Sequence, residues 1–272
     1  MKRVAVIGLG LIGGSAALAL EARGYDRNPE SRARANAKGI RTAETLAETV
    51  AGAEIVFAAV PTAETSALLQ EIASLAPSAI LTDAASLKTP VVEAASTLPD
   101  GIRFVGGHPM AGSRLYGIEA ATAQLFRGRP WILVPTARSD DSAVDVMSEL
   151  VRSVGSHPVI LDAERHDRLM TWVSHLPHAV ATSLARAAGA RVGEGLRDLA
   201  GPGLLETTRI ADRRLEFAIE LALADPEALA NAIDAVCGEL AALARSLRRH
   251  DDVALRTFFA ESASLRRTFE PD

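Results

Sequence analysis

A four-residue apolar run, Val4–Ile7, leads directly into Gly8-Leu9-Gly10-Leu11-Ile12-Gly13, and that junction narrows the possible folds more than any other stretch. A strand that ends in Gly-x-Gly-x-x-Gly and opens a helix is the start of a βαβ unit built to hold a dinucleotide. Gly8 permits the tight turn, Gly10 lets a pyrophosphate approach the backbone, and Gly13 lets the helix lie close to the strand. The N–H groups at the helix start, where Leu11 and Ile12 sit, then face the phosphate charge. The competing reading is a tight strand–helix turn with no ligand.

The segments that follow agree with that start. Apolar runs at 55–60, 79–82, 104–105, 131–134 and 158–161 alternate with stretches of helical spacing, notably 62–75 and 139–154. Short continuous apolar runs between helices predict an α/β fold, a Rossmann-type parallel sheet covered on both faces. After about Ala163 strand signals stop, and the remainder predicts an all-helical domain. Leu229, Ile233, Val236, Leu240, Leu243 and Leu247 share one helix face. This stripe reads first as a buried core face and second as a dimer seam. The 272 residues therefore divide into an expected dinucleotide-binding domain, 1–162, and an expected helical domain, 163–272.

Composition removes several function classes. With 29 Lys+Arg against 34 Asp+Glu, net charge −5, no basic excess exists to displace counterions from a nucleic acid. The single cysteine, Cys237, excludes an internal disulfide framework and a multi-cysteine zinc site. No apolar run reaches the ~20 residues of a membrane span, and the first residues lack a signal-peptide pattern. The expectation is a soluble cytoplasmic protein with neither nucleic-acid nor membrane partners.

The second strand is the weak point of this reading. An acidic residue should close it and hold the adenosine ribose, and Asp26 is the candidate; a solvated turn acid is the alternative. A helix from Leu11 to Ala22 travels roughly 18 Å, and a return strand needs about five residues at ~3.3 Å each. Only Arg23, Gly24 and Tyr25 precede Asp26. Either the helix unwinds early, or the strand is truncated and Asp26 falls short of the ribose. Arg27 is placed to hold a 2′-phosphate, so NAD and NADP both stand as cofactors.

Four further segments carry chemistry. Gly106-Gly107-His108-Pro109-Met110-Ala111-Gly112-Ser113 brackets one histidine with glycines and a proline, a composition that predicts a loop. A neutral imidazole at the carboxyl end of a strand can take a proton from a substrate hydroxyl, its ordinary pKa of ~6.5 being near working pH. In Asp83-Ala84-Ala85-Ser86-Leu87-Lys88, Ser86 either caps the next helix or faces the cofactor crevice. His175 and His178, in Ser174-His175-Leu176-Pro177-His178, share a helix face, but no acid or cysteine one turn away completes a metal site. They read as core or substrate-contact residues, and no metal is expected. Arg209, in Thr207-Thr208-Arg209-Ile210, can pair with a substrate carboxylate or stand solvated. His157, His166 and His250 read as ordinary surface or packing residues.

In this order these segments resemble the prephenate/arogenate dehydrogenase family of tyrosine biosynthesis, from Val4 to about Leu247. The glycine motif is common to many dehydrogenases. The Gly107-His108-Pro109-Met110-Ala111-Gly112-Ser113 and Ser174-His175-Leu176-Pro177-His178 segments are specific. The resemblance implies a nicotinamide cofactor, oxidative decarboxylation of prephenate or arogenate, and a homodimer formed through the C-terminal helices. It implies that His108 is the catalytic histidine on the ring hydroxyl, assisted by Ser86. It further implies that Arg209 binds a substrate carboxylate, and that His175 and Ser113 lie on the substrate side.

The chain departs from the family pattern at three points. About five residues are missing before Tyr25-Asp26-Arg27. Leu205-Glu206 replaces a basic residue followed by Asp, and Arg114 stands where Glu is frequent. No regulatory extension is expected after Asp272. Two other readings remain: a β-hydroxyacid-type dehydrogenase, disfavoured because no lysine follows Ala163, and a non-catalytic dinucleotide-binding protein.

Overall fold

The computed structural model describes residues 2–113, 115–212 and 215–269. The chain divides into two compact units, Met1–Leu169 and Met170–Asp272. The division falls seven residues beyond the expected 162/163 boundary, because the first helix after that point is bonded into the first unit through His166 and Asp167.

The first unit is a seven-stranded sheet in the order β2-β1-β3-β4-β5-β6-β7. The strands are β1 (Val4–Ile7), β2 (Arg23–Tyr25), β3 (Ile55–Ala58), β4 (Ile80–Asp83), β5 (Arg103–Pro109), β6 (Pro130–Pro135) and β7 (His157–Ile160). The helices are α1 (Leu11–Ala19), α2 (Pro29–Ala37), α3 (Leu46–Val50), α4 (Thr62–Leu75), α5 (Thr89–Ser96), α6 (Asp141–Ser153) and α7 (Ala163–Met170). Pairing is parallel from β2 to β5. β6 then runs antiparallel to β5, with β7 parallel to β6, so the sheet is mixed at one junction rather than wholly parallel. Burial on both faces explains the unbroken apolar runs: Val4, Val6 and Phe57 belong to one core cluster, and Ala5, Ile7 and Val56 to another.

The second strand forms, at three residues, because the helix before it stops early. α1 ends at Ala19 rather than Ala22. Glu21 takes a left-handed φ of 50°, and the Ala22 N–H reaches back to the Ala17 carbonyl at 2.9 Å, the wrapped ending of a Schellman-type cap. The chain reverses there, and Arg23, Gly24 and Tyr25 pair with Ala5, Val6 and Ile7. Asp26 therefore lies at the carboxyl end of β2, level with the glycine turn, and does not fall short of it.

The second unit is helical: α8 (Leu176–Val192), α9 (Leu196–Leu199), α10 (Pro202–Thr207), α11 (Leu215–Ala222), α12 (Pro226–Arg249) and α13 (Asp252–Arg267), with a π-turn over Thr171–His175. Asp225 and Asp251 cap α12 and α13 by accepting from Ala228 and Ala254 at 3.0 Å each. Leu176 packs with Leu229 and Ala232 to form its small core. The stripe on α12 is core only at its start: Leu229 is buried, but Leu240 and Leu247 are 58% and 53% exposed. The core-face reading of the whole stripe is thus corrected. None of the helices described is long and apolar enough to cross a membrane.

Candidate active site

The parallel strands β1, β3, β4 and β5 end at one edge of the sheet. At that edge Gly8 has φ +89°, and a Cβ on it would stand 2.4 Å from the Ala59 carbonyl oxygen. A Cβ at Gly13 would stand 1.8 Å from the Gly8 carbonyl oxygen. Both positions are closed to any side chain. At Gly10, by contrast, a Cβ would meet nothing within 4 Å, so the helix start opens onto space on that side. Leu11 and Ile12 begin α1 here, where backbone N–H groups lack intrahelical partners. The Asp26 carboxylate accepts from the Leu9 N–H and from the Asn28 N–H, each at 2.9 Å. These residues fit a dinucleotide: an open backbone cradle for the pyrophosphate, with an acid at the end of the second strand for the ribose. Arg27, largely exposed, pairs with Glu64 at 2.9 Å.

His108 lies on β5, not in a loop, which corrects the reading of its glycine-rich surroundings. β5 stays regular through Gly106-Gly107-His108-Pro109 because it is paired on both sides. On one side the ladder to β6 matches His108 with Ile132 and Pro109 with Trp131. On the other side β4 has ended, and two buried side chains take its place. Asp83 accepts the Gly107 N–H at 3.0 Å, and Lys88 Nζ donates to the Gly107 carbonyl at 2.7 Å. Lys88 and Asp83 also pair with each other, both fully buried. Gly107 is required for this closeness, since a Cβ would stand 2.4 Å from the Asp83 carbonyl oxygen. Burial pushes the Lys88 ammonium pKa down, against the opposing pull of Asp83 and Asp167.

Beyond the sheet edge a second bonded group reaches His108. Its Nδ1 is 2.8 Å from Nε2 of His166, and Nδ1 of His166 is 2.7 Å from Asp167 Oδ1. His166 is completely buried. Asp167 also accepts the backbone N–H groups of Lys88 and Thr89, at 2.9 and 2.8 Å, at the start of α5. Desolvation pushes its carboxyl pKa up, but the bonds from His166, Thr89 and Lys88 outweigh it and hold that pKa well below the usual carboxylate range. Asp167 is thus an anion at neutral pH. It also meets the start of α5, which has no side-chain cap of its own, so of the two alternatives for Ser86 the structure does not show the capping one.

The remaining candidates are placed as follows. The Ser113 hydroxyl accepts the Leu115 N–H at 3.1 Å, and Arg114 lies outside the described residues. His175 and Arg209 belong to the second unit. His175 is buried at the end of the π-turn, and Arg209 is exposed on a short 3-10 turn after α10. No cluster of three metal-ligating side chains occurs among the described residues. Sequence reasoning passed over His166. Its one local signal was the adjacent His166-Asp167 pair at the start of a helix.

Comparison with known proteins agrees with this geometry. Residues 17–160 match the family described as "Prephenate dehydrogenase, nucleotide-binding domain", and residues 162–261 match "Prephenate dehydrogenase, dimerization domain". A prephenate dehydrogenase of Lactococcus lactis is 33% identical, the match covering 99% of this chain and 78% of that protein. A prephenate dehydrogenase structure from A. aeolicus, in complex with hydroxyphenyl propionate and NAD+, superposes with a TM-score of 0.87 at 27% identity, covering 99% of both chains. The Synechocystis arogenate dehydrogenase structure gives a TM-score of 0.82 at 26% identity, covering 98% of this chain and all of that one. By sequence and by fold, the chain belongs to the prephenate dehydrogenase family.

Proposed function

We propose that the chain catalyses the NAD-dependent oxidative decarboxylation of prephenate or arogenate, with His108 as the base. The observation that carries this reading is His108 itself, held at the sheet edge that also carries the glycine turn, with its Nδ1 engaged by His166. Bound NAD supplies the hydride acceptor. His108 takes the proton of the ring hydroxyl as the carbinol carbon gives up its hydride. The bond from the ring to its carboxylate then breaks, carbon dioxide leaves, and the electron pair completes an aromatic ring, which makes the step effectively irreversible. Ser86 assists at the hydroxyl. Ser113, His175 and Arg209 bind the substrate, Arg209 through a carboxylate. The chain's part is mainly positioning.

The preferred cofactor is NAD. The Asp26 carboxylate would repel a 2′-phosphate and suits a free ribose hydroxyl, and Arg27 is occupied by Glu64. The test is a spectrophotometric assay of reduced-cofactor formation with prephenate and arogenate, each with NAD and NADP. Turnover with at least one substrate, and kcat/KM at least tenfold higher with NAD, is expected. Cofactor binding without turnover of either substrate would favour a sensor instead, and an NADP preference would overturn the role of Asp26.

Arg209→Ala should raise KM by about 10- to 100-fold with kcat little changed, the ~1.5–3 kcal/mol of a charge-assisted hydrogen bond. An unchanged KM would leave Arg209 as a solvated side chain. The active form is a homodimer built through α12 and α13. The match to a dimerization domain supports this, as do the exposed Leu240, Leu247, Val253, Phe259 and Leu265.

A further inference from the structure

We propose that His166 is a positioning residue that fixes which nitrogen of His108 is basic, and that Asp167 fixes His166 in turn. The inference rests on His108 being the base. The bonding pattern assigns both tautomers. Asp167, an anion bonded to two backbone N–H groups, can only accept, so Nδ1 of His166 carries a hydrogen and donates it. With that single hydrogen on its ring, His166 presents a lone pair at Nε2. Nδ1 of His108, 2.8 Å away, must donate to it. The lone pair of His108 is thereby placed on Nε2, the nitrogen on the far side of the ring from His166. When the substrate hydroxyl proton moves to Nε2, the Nδ1 hydrogen stays in place. The new positive charge is stabilised through His166 by the Asp167 carboxylate; the Lys88–Asp83 pair, bonded to the adjoining Gly107, and Asp26 at the end of β2 are further charged groups at this end of the sheet. The proton does not continue to Asp167, whose carboxyl is too weak a base to receive it. The arrangement follows the logic of a Ser-His-Asp triad, in which the acid orients the ring and offsets its charge without being protonated.

Two variants and one spectroscopic measurement test this. His166→Leu removes the acceptor for His108 Nδ1, whereas His166→Gln keeps an amide oxygen that can take its place. His166→Leu should lower kcat by ~10- to 100-fold, a usual cost of losing a second-sphere partner, with KM little changed. It should also move the acid limb of kcat/KM to lower pH, because the imidazolium loses its support. His166→Gln should recover most of kcat. Equal losses in both variants that track a loss of Tm would reduce His166 to packing. Independently of turnover, 15N spectra of the histidine rings, with His108 assigned by comparison with His108→Asn, should show Nδ1 protonated and Nε2 bare in the wild type. His108 protonated at Nε2 would overturn the proposal. Absence of turnover in the wild type would instead overturn the function itself, and the spectra would still decide the tautomer.

Discussion

His108→Asn should lower kcat by about 10²–10⁴-fold, the usual contribution of a positioned general base and ~3–5 kcal/mol of barrier. Asparagine is smaller than histidine, keeps a donor that can reach Nε2 of His166, and fits the β5 ladder opposite Ile132. The fold should therefore survive. What disappears is a group able to hold a proton at neutral pH. The KM for substrate should change much less, since carboxylate binding is assigned to Arg209. Steady-state kinetics at saturating NAD gives the answer, and a loss smaller than tenfold would remove His108 from the chemistry.

Lys88→Met should cost about 3–5 kcal/mol of unfolding free energy, the usual penalty for leaving one partner of a buried ion pair alone. Methionine nearly matches the lysine stem in volume, so packing changes little and the charge effect dominates. Two groups lose their partner at once: the buried Asp83 carboxylate and the Gly107 carbonyl. Because Gly107 precedes His108, the proposed base, kcat should also fall at temperatures where the variant is fully folded. Denaturant unfolding of Lys88→Met, and of Lys88→Met with Asp83→Leu, separates the causes. The double variant should regain part of the loss by removing the stranded anion. A loss below about 1 kcal/mol in the single variant would contradict the clamp.

Sequence was most legible where one local pattern dictates one geometry. The Val4–Gly13 junction was read as strand, turn and helix, and the structure has each of them. At Asp26, counting residues identified the right difficulty but could not see its solution, because nothing in Glu21-Ala22 announces a left-handed cap. Gly106–Pro109 looked like a loop since glycine and proline usually interrupt strands. What keeps β5 regular there is a partner strand 22 or more positions away and a lysine from the earlier connection between β4 and α5. His166 was invisible for the same reason: its meaning comes from an imidazole 58 residues distant. The stripe on α12 had the correct helical period, but period alone does not say whether a face is covered by the same chain. Leu240 and Leu247 are not. Local rules thus located the turn and the helices, whereas the groups bonded around His108 and Gly107 depend on long-range pairing that no short window contains.

The decisive measurement is kcat/KM for reduced-cofactor formation across pH 5–8, wild type beside His108→Asn. An imidazole that must be neutral to accept the hydroxyl proton gives the wild type a rate that falls on the acid side, while His108→Asn should be slow and lack that limb. A wild-type profile that is flat over this range, or an acid limb that persists unchanged in His108→Asn, would mean that another group takes the proton.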